Sequence, residues 1–415
     1  MEMNQVTILD LNDYCLGRVL KYLQIEDHVN FAETCMRFRD VLRDWSCVLY
    51  PEFRIEDDTN FKWKLKLFFI ICDVIKNLYL TIDPNKMEFP EPDLFYNHIK
   101  TMKNLEFFAY KNEEFPTLKR FKVANNEKDL MVNETFSALE HLPKLKSVSV
   151  RCASRFKACN MMPLKGLQAI SINDEIASED LVDICQSNVN LRVLWLRVVV
   201  GELSDIVPYC PKLEEISFPM LSSHKSYVGL AELPNIKKIV IKSTSSPSPC
   251  EKLLELFTAL VDKKQGPQLQ SLMVLSSLNF KETNKLIELK SLRELRCGFK
   301  DASCIDLLTN LTELEGLYIM LGRSAAGSKE CLNILKSCKK LQRLHINSNL
   351  STEFLDKAVE VLRKVRNTET QKPLQLYSTG LMHLCNEGEK LVDNAYCTVV
   401  NWSEYLRAMP WRLSN

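Results

Sequence analysis

Apolar residues recur along most of this chain in a six-residue phrase, apolar at positions one, four and six. Leu191, Leu194 and Leu196 form one copy, Leu213, Ile216 and Phe218 a second, and Leu292, Leu295 and Cys297 a third. Further copies open at Ile75, Leu105, Leu118, Leu145, Leu167, Ile236, Leu269, Leu314 and Leu341, and a weaker one ends at Leu374 and Leu376. From Leu145 to Leu341 the starts advance by 22, 24, 22, 23, 33, 23, 22 and 27 residues. Apolar positions four and six, with three, five and seven free, are the two-residue alternation of a strand with one buried face. Each copy therefore predicts one short strand. Between copies the apolar spacing becomes helical: Leu181, Ile184 and Cys185 behind a capping Ser178, then Leu253, Leu254, Phe257, Leu260 and Val261, and later Phe354, Leu355, Ala358, Leu362 and Val365 behind Ser351.

Ahead of the phrase the period is helical throughout. Asn12 caps a predicted helix whose stripe is Leu16, Val19, Leu20 and Leu23; Asp27 caps a short second helix with Val29, Phe31 and Ala32. Thr34 starts a third with Phe38, Val41, Leu42 and Trp45 on one face. Three short helices in about 40 residues bury too little to be comfortable alone, so this module needs a partner or the adjoining repeats. Trp63, Leu67, Phe68, Ile71 and Ile75 predict a junction helix facing the first repeat.

A strand and then a helix at a step of twenty-odd residues resembles the leucine-rich-repeat family, whose units stack into a horseshoe with a parallel sheet on its concave face. Cys210 and Cys338, each three residues before a phrase, resemble the cysteine-containing subtype. A second resemblance rests on Leu11 to Leu23, Asp27, and Arg37 to Arg39, which look like an F-box. Departures from that family's pattern are Asn12 for proline, Tyr14 for an acidic residue, His28 for leucine, Thr34 for valine and Phe38 for tryptophan. The expected architecture is α/β: an F-box-like all-α module at 9–48, a helical junction at 49–74, a leucine-rich-repeat solenoid at 75–376 and a carboxy-terminal cap or tail at 377–415 containing Cys397, Trp402, Tyr405 and Trp411.

The two resemblances together imply the substrate-recognition subunit of a Skp, cullin and F-box ubiquitin ligase. Its partners would be a Skp-type adaptor, through it a cullin, and an unknown protein substrate. Leu11, Leu16, Val19, Leu20, Leu23 and Val29 are the expected adaptor contacts. Strand alternation puts positions three, five and seven on the concave face. Position five reads Ser149, Ser171, Trp195, Ser217, Val240, Met273, Arg296, Tyr318 and His345 in order. Aromatic and arginine side chains anchor protein interfaces, so the expected substrate contacts are Trp195, Arg197, Arg296, Tyr318, Arg343 and His345. The competing readings are a leucine-rich scaffold whose first helices are only a cap, and an enzyme using Cys297 as a nucleophile.

Composition narrows these readings. With 54 basic and 53 acidic residues mixed along 415, formal net charge is +1, which gives no footprint for nucleic acid or membrane. The longest apolar run, Leu67 to Cys72, is too short to cross a bilayer, and the first residues lack a signal-peptide pattern, so a cytoplasmic or nuclear location is expected. The fifteen cysteines have no Cys-x-x-Cys pair. The pairs Cys152 and Cys159, Cys297 and Cys304, and Cys331 and Cys338 read as small core residues following the repeat. With no phosphate loop, nucleophile elbow or His-Glu-x-x-His, no catalytic residue, metal or cofactor is expected. Ser243 to Pro249 reads as a surface loop with Ser246 and Ser248 before prolines.

Overall fold

The computed structural model describes residues 7–82, 92–112, 133–151, 161, 163–221, 226–242, 250–263, 268–321, 328–347, 351–378 and 395–399. The phrase at Leu118, the Ser243 to Pro249 loop, Cys152 and Cys159, and Trp402, Tyr405 and Trp411 lie outside them. The chain divides into two compact units, Met1–Val200 and Gly201–Asn415.

The first unit opens with three helices, α1 (Asp13–Leu20), α2 (Ile25–Thr34) and α3 (Met36–Leu49). Asn12 caps α1 as expected, its side chain accepting from the Cys15 N–H at 2.8 Å. The next two starts differ from expectation. Gln24 is the cap of α2, and Asp27, three residues in, accepts from the Gln24 N–H at 3.3 Å to close a capping box. Thr34 ends α2, its hydroxyl donating to the Asn30 carbonyl at 2.9 Å, and α3 starts two residues later. Both differences have one cause: Asp and Thr serve inside a terminal turn as well as at its cap.

The module runs without a linker into a parallel sheet. Strand β1 (Phe53–Ile55), helix α4 (Phe61–Ile71) and β2 (Asn77–Ile82) follow, then β3 (Phe107–Asn112), β4 (Ser147–Arg151), β5 (Ala169–Ala177) and β6 (Val193–Val200). Each pairs in parallel with the next. A chain of aromatic rings joins module to sheet: Tyr50 to Phe53 at 5.5 Å, Phe53 to Phe68 at 6.4 Å, and Phe68 to Phe95 at 5.1 Å. An ion pair of Arg43 with Asp73 adds a polar tie between α3 and the turn before β2.

The second unit contains β7 (Glu215–Pro219), β8 (Lys238–Lys242), β9 (Ser271–Leu278), β10 (Glu294–Phe299), β11 (Gly316–Leu321), β12 (Arg343–Asn347), β13 (Leu374–Ser378) and β14 (Cys397–Val399). These too pair in parallel and in chain order. The connections are helices of unequal length, among them Cys250–Asp262, Ser328–Ser337 and Thr352–Val365, the last capped by Ser351 as its sequence predicts. Strand and helix alternate as in a leucine-rich-repeat solenoid, preceded by a three-helix module.

Every described copy of the phrase but the weaker last one, whose strand starts at Leu374 in position four, starts its strand at position three, and in all of them positions four and six are buried. Strands β1 and β14 are outside the phrase. Phe53 and Ile55 alternate over too few residues to be recognised, and Cys397 and Val399 stand alone. Cys297, Cys304, Cys331 and Cys338 are buried and unpaired, as small core residues are.

At one junction between repeats a side chain satisfies the buried backbone groups. Asn188, buried after the helix Ser178–Ser187, accepts from the Leu167 N–H at 2.8 Å and donates to the Leu164 and Ile184 carbonyls at 3.1 and 2.9 Å. Asn188→Ala strands three backbone groups and should lower stability by about 2 to 4 kcal/mol. Urea unfolding measures it; an unchanged midpoint would show that the asparagine bears no such burden.

Candidate functional site

The first unit presents the helical module, and each unit presents a strand face opposite its helices, its open face.

In the module, Leu16, Leu20, Val29, Val41 and Leu42 form the core, with Phe31 stacked on Phe38 at 4.2 Å. Leu16, Leu20 and Val29 are thus already buried within the chain, which corrects their expected role as adaptor contacts: the stripe that predicts a helix is the stripe the module uses for itself. Leu11, Val19 and Leu23 stay accessible. Other apolar side chains are more exposed. Of thirteen large hydrophobic residues exposed among the described ones, seven fall in residues 8–48, including Ile8, Leu9, Tyr14, Tyr22 at 84% and Met36 at 71%. For two of them the sequence carried a signal: Tyr14, Arg18 and Tyr22 succeed one another at helical steps of four, off the core stripe.

Two devices hold this surface in shape. Arg37 donates to the Leu9 carbonyl at 2.7 Å, the Leu11 carbonyl at 2.5 Å and the Asp13 carboxylate at 2.9 and 2.7 Å, so one guanidinium fixes the turn carrying Ile8 and Leu9 against α1 and α3. Gly17 lets α1 lie directly on the Trp45 ring, where a Cβ would come within 2.0 Å of the indole. His28 closes the base of the module. Its Nε2 lies 2.7 Å from the Leu20 carbonyl and must donate, leaving Nδ1 to accept from the Tyr50 hydroxyl. Burial pushes the Tyr50 phenol well up, which keeps that donor protonated.

On the open face of the first unit, position five forms an in-register row: Tyr79, Ala109, Ser149, Ser171 and Trp195. Trp195 is half-buried and Arg197 exposed, its guanidinium donating to the Asn173 carbonyl at 3.4 Å.

In the second unit, the row is Ser217, Val240, Met273, Arg296, Tyr318, His345 and Tyr377. Ser217, Val240, Met273, His345 and Tyr377 are buried there, unlike their counterparts on β4 to β6. Four of the expected substrate residues come together here. The Arg296 guanidinium lies over the Tyr318 ring at 4.1 Å, and the His345 ring meets Tyr318 edge-on at 3.9 Å. Arg343 forms an ion pair with Glu294 two strands away, reaching across Gly316, where a Cβ would stand 3.4 to 3.5 Å from both side chains. His345, only 2% exposed, props Tyr318 and offers no face to a partner, which corrects its expected role. Its ring stays neutral, because burial and then the Arg296 charge push it down to about 3.

The Cys297 thiol is fully buried, and burial pushes it far above the ordinary thiol range. It is therefore not poised as a nucleophile. Among the described residues no group of metal-ligand side chains is found, and no helix is long and apolar enough to cross a membrane.

Residues 8–48 match the family model of the F-box domain. No curated protein matches the sequence. Similar solved structures include internalin C2 of Listeria monocytogenes, at 19% identity over 48% of this chain and 79% of that one, TM-score 0.30. A leucine-rich-repeat protein of Leptospira interrogans matches at 13% identity, 75% and 92% coverage, TM-score 0.28. The complex of Rad7 and Elc1 in yeast matches at 13% identity, 76% and 90% coverage, TM-score 0.34.

Gly17→Ala should cost about 1 to 3 kcal/mol, because the Trp45 ring must move; an unchanged melting temperature would refute the close approach. His345 has an acid consequence. Its folded value lies below that of the unfolded chain, so the unfolded chain binds the extra proton and stability falls as pH drops from about 6.5 towards 3. His345→Phe should flatten that part of the stability profile in acid titrations followed by circular dichroism; an equally steep loss would assign it to other groups.

Proposed function

From an F-box domain at residues 8–48 packed onto leucine-rich repeats, we propose that the protein is the substrate-recognition subunit of a Skp, cullin and F-box ubiquitin ligase. The observation that carries the reading is the concentration of exposed apolar side chains on the module: seven of the thirteen among the described residues fall in residues 8–48. Contiguous exposed apolar surface on a folded domain marks an interaction site. The adaptor would cover Ile8, Leu9, Leu11, Val19, Leu23, and Tyr14 on α1 with Tyr22 just after it, with a cullin recruited through it.

The target protein would lie on the open face. Trp195 and Arg197 would serve in the first unit, and Arg296, Tyr318 and Arg343, supported by His345, in the second. The chain would make no bond itself. Its contribution would be to hold a target lysine near activated ubiquitin and so raise effective concentration. The packed seam of Tyr50, Phe53 and Phe68 suits this role, since a loose joint would dilute that concentration. On this reading the domains run 9–48, 49–74, 75–376 and 377–415, and the protein works in the cytosol or nucleus.

The test is capture of a Skp-type adaptor and cullin by the intact chain and by a Leu9→Asp, Tyr22→Asp variant. Both positions are exposed, so the fold should survive. Each buried apolar side chain contributes roughly 1.5 to 3 kcal/mol, so the double change should weaken capture at least 100-fold with the melting temperature unchanged. If the intact chain captures nothing, or the variant captures equally well, the helices are a cap of a leucine-rich scaffold.

A further inference from the structure

The open face of β2 to β6 is polarised in charge; at its β1 edge Arg54, the register partner of Tyr79, is already paired with Glu52 and Glu56. Positions three, five and seven of β2 to β6 contain no aspartate or glutamate, whereas position seven contains Lys111, Arg151 and Arg197. Lys111 and Arg151 are register partners, and Arg197 lies two strands beyond Arg151. Arg151 and Arg197 are exposed and form no ion pair among the described residues. The nearest acids on these strands are outside the face: buried Asp174, and Glu175, beyond the irregularity in β5 after Ile172.

Shape follows the same rows. At position five, Ala109, Ser149 and Ser171 make a low floor between Tyr79 on β2 and Trp195 on β6. Neighbouring strands stand about 4.8 Å apart, so the two aromatic walls are roughly 19 Å apart. All five floor and wall residues remain half-exposed, in contrast with the buried row of the second unit.

We infer that this face of the first unit binds an acidic, extended segment of a partner protein, its carboxylates meeting Lys111, Arg151 and Arg197 and an apolar side chain lying on the Ala109, Ser149 and Ser171 floor. This rests on the proposed function in taking the partner as the target protein, and it adds the target's chemistry. The spacing sets the segment's pattern. Cations about 5 and 10 Å apart match an extended chain, at about 3.3 Å per residue, with acids two to three residues apart. A guanidinium donates two parallel hydrogen bonds to a carboxylate, which gives direction as well as attraction. A single-stranded nucleic acid fits less well: bases stack on closely spaced aromatic platforms, and here two rings are separated by four strand spacings.

The test selects random twelve-residue peptides displayed on phage against the full chain, then measures synthetic versions of the enriched peptides by fluorescence anisotropy. The expected peptides have two or three acids at steps of two or three around a bulky apolar residue. Their affinity should fall more than tenfold in an Arg151→Glu, Arg197→Glu variant, about threefold to tenfold in Arg151→Gln, Arg197→Gln, and also with added salt. Adaptor capture by the same variants should be unchanged. This control separates failure here from failure of the ligase reading, which would appear as loss of adaptor capture by the intact chain. Enriched peptides without acids, no enrichment, or equal affinity for the charge-reversed variant would overturn the inference. Tighter binding of a twenty-nucleotide oligothymidine, weakened by the same substitutions, would overturn it in favour of nucleic acid.

Discussion

One forked hydrogen bond sets the register of both units. The carbonyl at position two of a repeat accepts the N–H groups at positions two and three of the next. Lys146 takes Gln168 and Ala169 at 2.7 and 3.0 Å; Lys237 takes Gln270 and Ser271 at 2.8 and 3.0 Å; Arg293 takes Glu315 and Gly316 at 2.7 and 2.9 Å. With that fork in place, position five must fall beside position five, whatever length of chain intervenes. The 33-residue step from Ile236 to Leu269 preserves the register because its extra residues, including the helix Cys250–Asp262, all lie between strands. Rows such as Arg296, Tyr318 and His345 are a consequence: three distant residues become neighbours through backbone geometry alone.

The same economy governs the module. Its small core would be marginal alone, and it is completed by rings shared with the first repeat. His28 lies where the F-box pattern has leucine, and its two nitrogens replace apolar packing with a tie from the Leu20 carbonyl to Tyr50, whose ring leads on to Phe53. The exposed apolar side chains of the module and the strands β1 to β6 thus belong to one compact unit.

Much of this was legible in the sequence because backbone periodicity writes it directly. Positions one, four and six named the buried residues and the strand starts, and Asn12 and Ser351 named two caps. Exposure was harder to read. Leu16, Leu20 and Val29 looked like contact residues because an apolar stripe states that something is covered, without saying by what. The exposure of Tyr14 and Tyr22 was not legible because tyrosine suits core and surface alike. His345 looked like a surface polar group, yet the ring of Tyr318 beside it in the row closes it off, and only the register of β11 on β12 shows that. Gly316, which opens the path for Glu294 to reach Arg343, likewise has meaning only across three strands.

A docking surface on the exposed apolar side of the module would be distinct from the open face. Hydrogen exchange by mass spectrometry, with and without a Skp-type adaptor, tests it most directly. Adaptor bound there adds protection over residues 8–36 and none over β2 to β6, leaving that face available to a target. Protection of the strands with residues 8–36 unchanged would contradict it.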